Sequence, residues 1–324
     1  MAVHVTCKGP REWDGLSGVE TKGLFGRTRR RGSAGHLGLG LTSICLLASF
    51  SLAGEPAASP DPVPTAQVWE FLPEAGFYPL YIADPLRPQT ALMLIWVPSS
   101  DIPETGHARF SLRLGGQFPI VAFHPDRDPD RGWQLDFEGG FLGHFDLGYS
   151  LDNIGWDGVY GLLLDYKPTP DLALRFGTLH DSAHVGDEYA ERTGRSRVDY
   201  TREEFVLGVS WQATQSWRTY FEVGSQFGGE DFQERWRAQT GAEYLGRRLT
   251  SRVRASWYAA LDLRAYQEND WHPRVTGQVG LMIPTRRGRS RYRAAVEVAS
   301  GRTVLGEFYR SSETYAGLGW YFDF

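Results

Sequence analysis

Glu204-Phe205-Val206-Leu207-Gly208-Val209-Ser210-Trp211-Gln212-Ala213-Thr214-Gln215-Ser216-Trp217 is the stretch on which the fold turns. Phe205, Leu207, Val209 and Trp211 take every second position, with Glu204, Val206, Gly208 and Ser210 between them. A period of two puts the large apolar side chains on one face of a strand and the rest on the other. The run stops at Ala213–Ser216, a link long enough only for a tight turn, and Trp217 opens the next segment. The same scheme recurs on both sides. Trp133, Leu135 and Phe137 alternate with Gln134, Asp136 and Glu138. Leu172, Leu174 and Phe176 alternate with Ala173, Arg175 and Gly177. Trp236, Ala238, Thr240, Ala242 and Tyr244 enclose Arg237, Gln239, Gly241 and Glu243, and 254–265, 274–283, 291–299 and 315–324 follow suit.

About twelve strands are expected, starting near 107, 132, 141, 156, 171, 201, 217, 235, 253, 273, 291 and 314. Links after even-numbered strands read as short: Gly139-Gly140, Lys167 to Asp171, Ala213 to Ser216, Gly246 to Ser251 and Pro284 to Ser290. Links after odd-numbered strands, at 181–200, 228–234, 266–272 and 300–313, read as longer and more polar, with 149–155 the exception. A two-sheet sandwich has no reason to sort its loops by strand parity, whereas an outer-membrane barrel has short periplasmic turns and longer external loops. The sequence therefore predicts an all-β chain: a transmembrane antiparallel β-barrel over 107–324, in the cell outer membrane, with outer-membrane lipids as its surroundings.

Composition fits that reading. Mean hydropathy is −0.36 with 41% hydrophobic residues, as expected when each strand averages an apolar face against a polar one. The net charge of −5 is spread without a basic face, which excludes a nucleic-acid partner. Arg27, Arg29, Arg30 and Arg31 precede an apolar run, Leu37 to Ala53, that ends in Ser51-Leu52-Ala53. This is the order of a secretory signal peptide, so 1–53 is expected to be removed, with 1–26 reading as a start site assigned too early. Cys7 and Cys45 both fall in that part, leaving no thiol for disulfide, metal or nucleophile. Residues 54–106, rich in Pro and aromatics, read as a short periplasmic lead-in or a plug; Leu92 to Val97 is only a brief apolar run.

The densest titratable group is His180-Asp181-Ser182-Ala183-His184-Val185-Gly186-Asp187-Glu188-Tyr189. By parity His180 and Ser182 continue the outward series Leu174, Phe176, Thr178, toward the outer leaflet. Three readings stand side by side. Ser182 is a nucleophile with His180 as base, oriented by Asp187 or Glu188. Alternatively His180, His184, Asp187 and Glu188 hold a divalent metal. In the third, Gly186 makes a turn in an ordered loop and the acids pair with Arg192, Arg195, Arg197 or Arg202. Elsewhere, inward Arg175, Glu222, Arg237, Glu243, Asp262, Arg264, Arg293 and Glu297 are mixed in sign, which suits ion pairs bracing a small lumen better than a selective pore. Arg286, Arg287, Arg289 and Arg291 fall at a short turn, where solvent or lipid headgroups suffice. Asn153 to Gly161 is placed in the tight link after the third strand, with Trp156 in the aromatic belt. The sequence has no Gly-rich phosphate loop followed by Lys, no His-Glu-x-x-His and no Gly-x-Ser-x-Gly. Nothing in the pattern sets an oligomeric state.

Three resemblances add to this. Ala316, Leu318, Trp320, Phe322 and Phe324 share one face of the last strand, and Trp320, Phe322 and Phe324 resemble the terminal signal read by the outer-membrane assembly machinery, which is thereby implied as a partner. The His180-x-Ser182 pair resembles that of outer-membrane phospholipase A and of the lipid A deacylases, which implies acyl-ester hydrolysis; Ala183 and His184 depart from the phospholipase pattern, and no Asn stands ready to orient His180. Finally, His180-x-Ser182-x-His184-Val185-Gly186-Asp187-Glu188-Tyr189, Gly194-Arg195-x-Arg197-Val198-x-Tyr200-x-Arg202-Glu203, Phe145-Asp146 and Asn153-x-Gly155-Trp156-Asp157-Gly158-x-Tyr160-Gly161 resemble a bacterial envelope family, domain of unknown function 1207. That likeness spans most of 69–324 and implies an outer-membrane barrel without an assigned activity. The expected function is thus a structural, binding or narrow-channel barrel, with lipid acyl-ester hydrolysis as the alternative.

Overall fold

The structure, a computed structural model, describes residues 68–125, 128–249, 254–285 and 290–323. The expected signal segment, both cysteines, Arg286, Arg287, Arg289 and Phe324 lie outside the described residues. In chain order the strands are β1 (Val68–Phe71), β2 (Thr90–Ser100), β3 (Ala108–His124), β4 (Gly132–Asp146), β5 (Asp152–Thr169), β6 (Leu172–Val185), β7 (Thr201–Gln212), β8 (Trp217–Gly229), β9 (Trp236–Arg248), β10 (Ser256–Tyr266), β11 (Arg274–Pro284), β12 (Arg291–Arg302) and β13 (Ser312–Asp323), with one helix, α1 (Asp187–Thr193). From β2 to β13 each strand pairs antiparallel with the next, and β13 pairs back onto β2, Trp320 opposite Leu92. The result is a closed twelve-stranded barrel; β1 is an extra strand on the lower half of β3, Val68 opposite His124.

Closure follows from the alternation, and its polarity is the reverse of a soluble protein's. On β12, Val296 and Val298 are 48% and 50% exposed while Glu297 between them is fully buried. Leu207, Trp211, Phe221, Val279, Leu318 and Trp320 likewise point outward. Each such side chain costs on the order of 1.5–3 kcal/mol to leave in water rather than bury, so a wall made of them requires hydrocarbon outside.

Three expectations need correction, and the first two cancel in the strand count. Gly139-Gly140 is not a turn: β4 runs through it, with Gly139 opposite Gly116 and Gly140 opposite Gly115. The glycines serve close approach, since a Cβ on Gly140 would lie 2.9 Å from Pro88 Cβ. Conversely Thr90–Ser100, assigned by sequence to the lead-in, is a barrel strand, so the barrel begins near 90 rather than 107. Its period of two is hidden because both faces are apolar. Ala91, Met93, Ile95 and Val97 turn inward onto Tyr258, Met282, Tyr315 and Tyr321, while Leu92, Leu94 and Trp96 face out. Asn153–Gly161 is also not a link but the start of β5; the chain turns at Leu147–Tyr149 instead, capped by the Asp146 carboxylate accepting from Gly148 N.

The lumen is filled. Residues between β1 and β2 run inside it, where Arg218 donates to the carbonyls of Pro79 (2.9 Å) and Leu80 (2.6 Å) and Ile82 N donates to Glu243 (2.8 Å). Arg87 of this segment is sandwiched between Glu138 and Glu222, and Asp84 pairs with Arg264 at 2.5 Å. Tyr81 stacks on Tyr220 with centroids 3.7 Å apart. Tyr81 Oη donates to Glu222 Oε2 at 3.0 Å and lies 2.6 Å from Tyr78 Oη. Wall pairs complete the packing: Arg175 with Asp165 and Glu138, Arg237 with Glu204 and Glu222, Arg113 with Glu297. Buried pairs of this kind contribute little net stability but enforce one arrangement, because breaking one strands a charge.

The two ends differ. α1 and the 3-10 turns at Leu147–Tyr149, Gln267–Asn269 and Gly306–Phe308 all lie at the end away from β1 and the last residues of β13. Loop length sorts the ends only weakly, since 249–255 and 267–273 are equally long; among the described residues the helical turns that cap one end sort them better.

Candidate functional site

The polar group on the apolar wall lies near the capped end of β5, β6 and β7. Register fixes it. Trp156, Gly158 and Tyr160 of β5 stand opposite His184, Ser182 and His180 of β6, and on the other side Ser182 and His180 stand opposite Thr201 and Glu203 of β7. All these positions share the outward face with Phe176 and Phe205, while Asp181, Ala183 and Val185 belong to the inward face.

Ser182 Oγ is 3.1 Å from His184 Nε2. His180 Nδ1 is 2.6 Å from Glu203 Oε1, with the two side chains 18% and 36% exposed. Each imidazole lies against an aromatic ring of β5: His184 on Trp156 at 4.2 Å and His180 on Tyr160 at 4.4 Å. Between those rings Gly158 leaves a notch beside Ser182, where an added Cβ would meet nothing nearer than 3.6 Å. Within a space of two residues either way, the serine thus has one imidazole in hydrogen-bond reach and a second held by a carboxylate. An imidazole whose ring is fixed by stacking is a positioned proton acceptor, and a serine beside it is the minimum needed for nucleophilic attack.

The structure brings His180, Ser182 and His184 together on one face and leaves out Asp187 and Glu188. Asp187 opens α1 and pairs with Arg197 at 2.7 Å, out in solvent; Glu188 is exposed on the same helix. They cannot orient His180, because the chain turns away from the wall at Gly186 and α1 is tied down elsewhere, by Tyr189 Oη to Pro103 O (2.8 Å) and Arg192 to Asp152 (3.3 Å). The carboxylate bonded to His180 is that of Glu203. Its signal was present in the sequence: stepping back by two from Phe205 puts an acid on the apolar face. Nor do His180, His184, Asp187 and Glu188 converge as metal ligands; among the described residues no three His, Cys, Asp or Glu side chains are grouped to hold an ion. Trp320 lies outward on β13 between Ala294 and Leu92, and Phe322 is paired with Tyr292 and Thr90.

The comparisons agree with the architecture. A model of the family described as "Protein of unknown function (DUF1207)" matches residues 66–324. Among solved structures, an active-site mutant of outer membrane phospholipase A from Escherichia coli is similar at 13% identity, with 75% of this chain and 92% of that one covered and a TM-score of 0.51. The phospholipase dimer with bound calcium from Salmonella typhi (14% identity; 72% and 91% covered) has a TM-score of 0.48. LpxR from Salmonella typhimurium (12%; 72% and 100%) has one of 0.37. At such identities the likeness is one of fold, that of outer-membrane barrels. No curated protein matches the chain.

Proposed function

The chain belongs to the DUF1207 family, and from that premise we propose that it is an integral outer-membrane barrel that hydrolyses lipid acyl esters on its outer wall. The carrying observation is Ser182 Oγ at 3.1 Å from His184 Nε2, in a polar cluster with His180, Thr201 and Glu203 set into an apolar wall, where polar groups are costly unless they are used. In this reading His184 Nε2 takes the hydroxyl proton as Ser182 Oγ attacks an acyl carbonyl carbon. The new Oγ–C bond replaces the ester C–O bond, and the leaving alcohol receives the proton from His184. Water then attacks the acyl-serine by the same route, releasing fatty acid. The Gly158 notch admits the ester, while Trp156 and Tyr160 wall it and fix the imidazoles. Glu203, bonded to His180, stabilises positive charge beside the site.

A second reading, a binding barrel without turnover, is favoured by one feature: the serine bonds to His184, whereas the carboxylate backs His180, so serine, imidazole and acid do not form one chain. Fatty-acid release from phospholipid mixed micelles by the purified full chain separates the two. Gly158→Val suits a strand; its Cβ would meet only ordinary contacts, Trp156 at 3.6 Å and Ser182 O at 3.9 Å, and its two methyl groups fill the notch. It is expected to lower release by about 10²-fold or more while leaving the folded band on a gel unchanged, an effect of the size that misplacing a substrate produces. No release by the parent protein, or equal release by the variant, argues for the binding barrel.

A further inference from the structure

Inside the capped end, beneath the loops at 267–273 and 303–311, a cavity of about 30 Å³ is lined by Arg264, Arg274 and Arg302 together with Asp181, Asn269 and His272. Two of its arginines keep partners on their terminal nitrogens and leave only Nε buried and unpaired among the described residues. Arg264 pairs with Asp84 at 2.5 Å, and Arg302 Nη1 donates to Ser312 Oγ at 3.3 Å and to Arg310 O. Arg274 is different. It is 5% exposed, its Nη1 donates to Arg302 O at 2.7 Å, and among the described residues its Nε and Nη2 have no partner. Nε and Nη2 form one edge of the guanidinium, the edge that grips an oxyanion through two parallel hydrogen bonds. The Tyr315 ring, 5.4 Å from the guanidinium carbon, braces it.

The neighbourhood repeats the pattern. Thr276 Oγ1, two residues along the same inward face of β11, is buried and partnerless, as are both ring nitrogens of His144, whose electrostatic neighbours are Arg109, Arg113 and Arg274. Arg109 and Arg113 have their own carboxylates, Glu313 and Glu297. Arg274 therefore stands as a buried cation with a free fork and no acid of its own, in a cavity whose one carboxylate, Asp181, is outnumbered by three guanidinium groups. A buried unpaired charge costs several kcal/mol unless something balances it.

We propose that this cavity is a binding site for a small oxyanion, a phosphate or carboxylate group, entering from the capped end and held by the Nε–Nη2 edge of Arg274. The site is separate from the outer wall and does not depend on any activity there.

The test is thermal unfolding of the purified full chain in nonionic detergent at constant ionic strength. Inorganic phosphate, acetate and micelles doped with phosphatidylglycerol are added in separate arms, each against chloride. Saturating phosphate or acetate is expected to raise the midpoint by about 5 °C, as ligand linkage gives for millimolar ion over a submillimolar site, and Arg274→Gln is expected to lose that shift. A response to the doped micelles alone assigns the oxyanion to a lipid headgroup instead of a free ion. If Arg274→Gln does not fold, Arg274→Lys, which keeps the charge without the fork, is read in its place and must also lose the shift. No response in any arm, or the same response in parent and variant, overturns the proposal.

Discussion

If the proposed hydrolysis holds, Ser182→Ala is expected to lower lipid-ester release by at least about 10³-fold without disturbing the barrel, with His184→Ala following it to within about tenfold. The size comes from the chemistry: a nucleophile and its base act as one unit, so removing either removes nearly the whole rate gained from both, and a positioned base alone is worth about 10²–10⁴. The ranking comes from geometry. His184 Nε2 is the nitrogen within 3.1 Å of Ser182 Oγ, whereas His180 spends Nδ1 on Glu203. His180→Ala and Glu203→Gln should accordingly cost about tenfold, as groups that shape the local field without taking the proton. Folding is not at stake in Ser182→Ala, because the side chain is outward, half-exposed and bonded only to His184. Initial rates of the four variants in one micelle preparation check the order. Rates equal to the parent's in Ser182→Ala and His184→Ala alike would remove hydrolysis from this wall.

Glu297→Leu is the largest expected loss of stability, about 3–5 kcal/mol. The Glu297 carboxylate receives Arg113 through two bonds, 2.7 and 3.2 Å, and also accepts from Tyr315 Oη at 2.6 Å, Tyr321 Oη at 2.9 Å and Gln278 Nε2 at 2.7 Å. Removing it strands a guanidinium that pairs with no other acid among the described residues, and takes the acceptor from three further donors, Gln278 on β11 and Tyr315 and Tyr321 on β13. Glu297→Gln keeps an acceptor and the shape, and should cost less, about 1–3 kcal/mol. Denaturant unfolding of the refolded barrel in lipid vesicles measures both. A cost below about 1 kcal/mol for the leucine variant would mean that water reaches the lumen and solvates Arg113, contrary to a filled interior.

Much of the architecture is legible in the chain because an apolar-out, polar-in wall writes its period directly into the residues. Phe205 to Trp211 and Trp236 to Tyr244 could be placed on strands with the correct face outward. What stayed hidden has physical causes. β2 carries no alternation, since Met93 and Ile95 face an apolar patch of the lumen rather than charge. Gly139-Gly140 carries a turn signal but is used to let Pro88 pass close to β4. The site was half legible. Parity put His180 and Ser182 outward, but it could not say which imidazole the serine would choose, nor that α1 would carry Asp187 and Glu188 away while register brought Glu203 to His180 from 23 residues downstream. A cross-strand partner depends on the length of the loop between the strands, and 186–200 holds a helix that the sequence pattern did not reveal.

Incubation of the purified barrel, in micelles, with a long-chain alkyl fluorophosphonate, followed by mass spectrometry of the intact chain and its peptides, tests the reactive wall directly. A single phosphonyl adduct on Ser182, formed in the parent protein and absent from His184→Ala, is the expected result. An unmodified chain, or an adduct that forms equally well without His184, would contradict it.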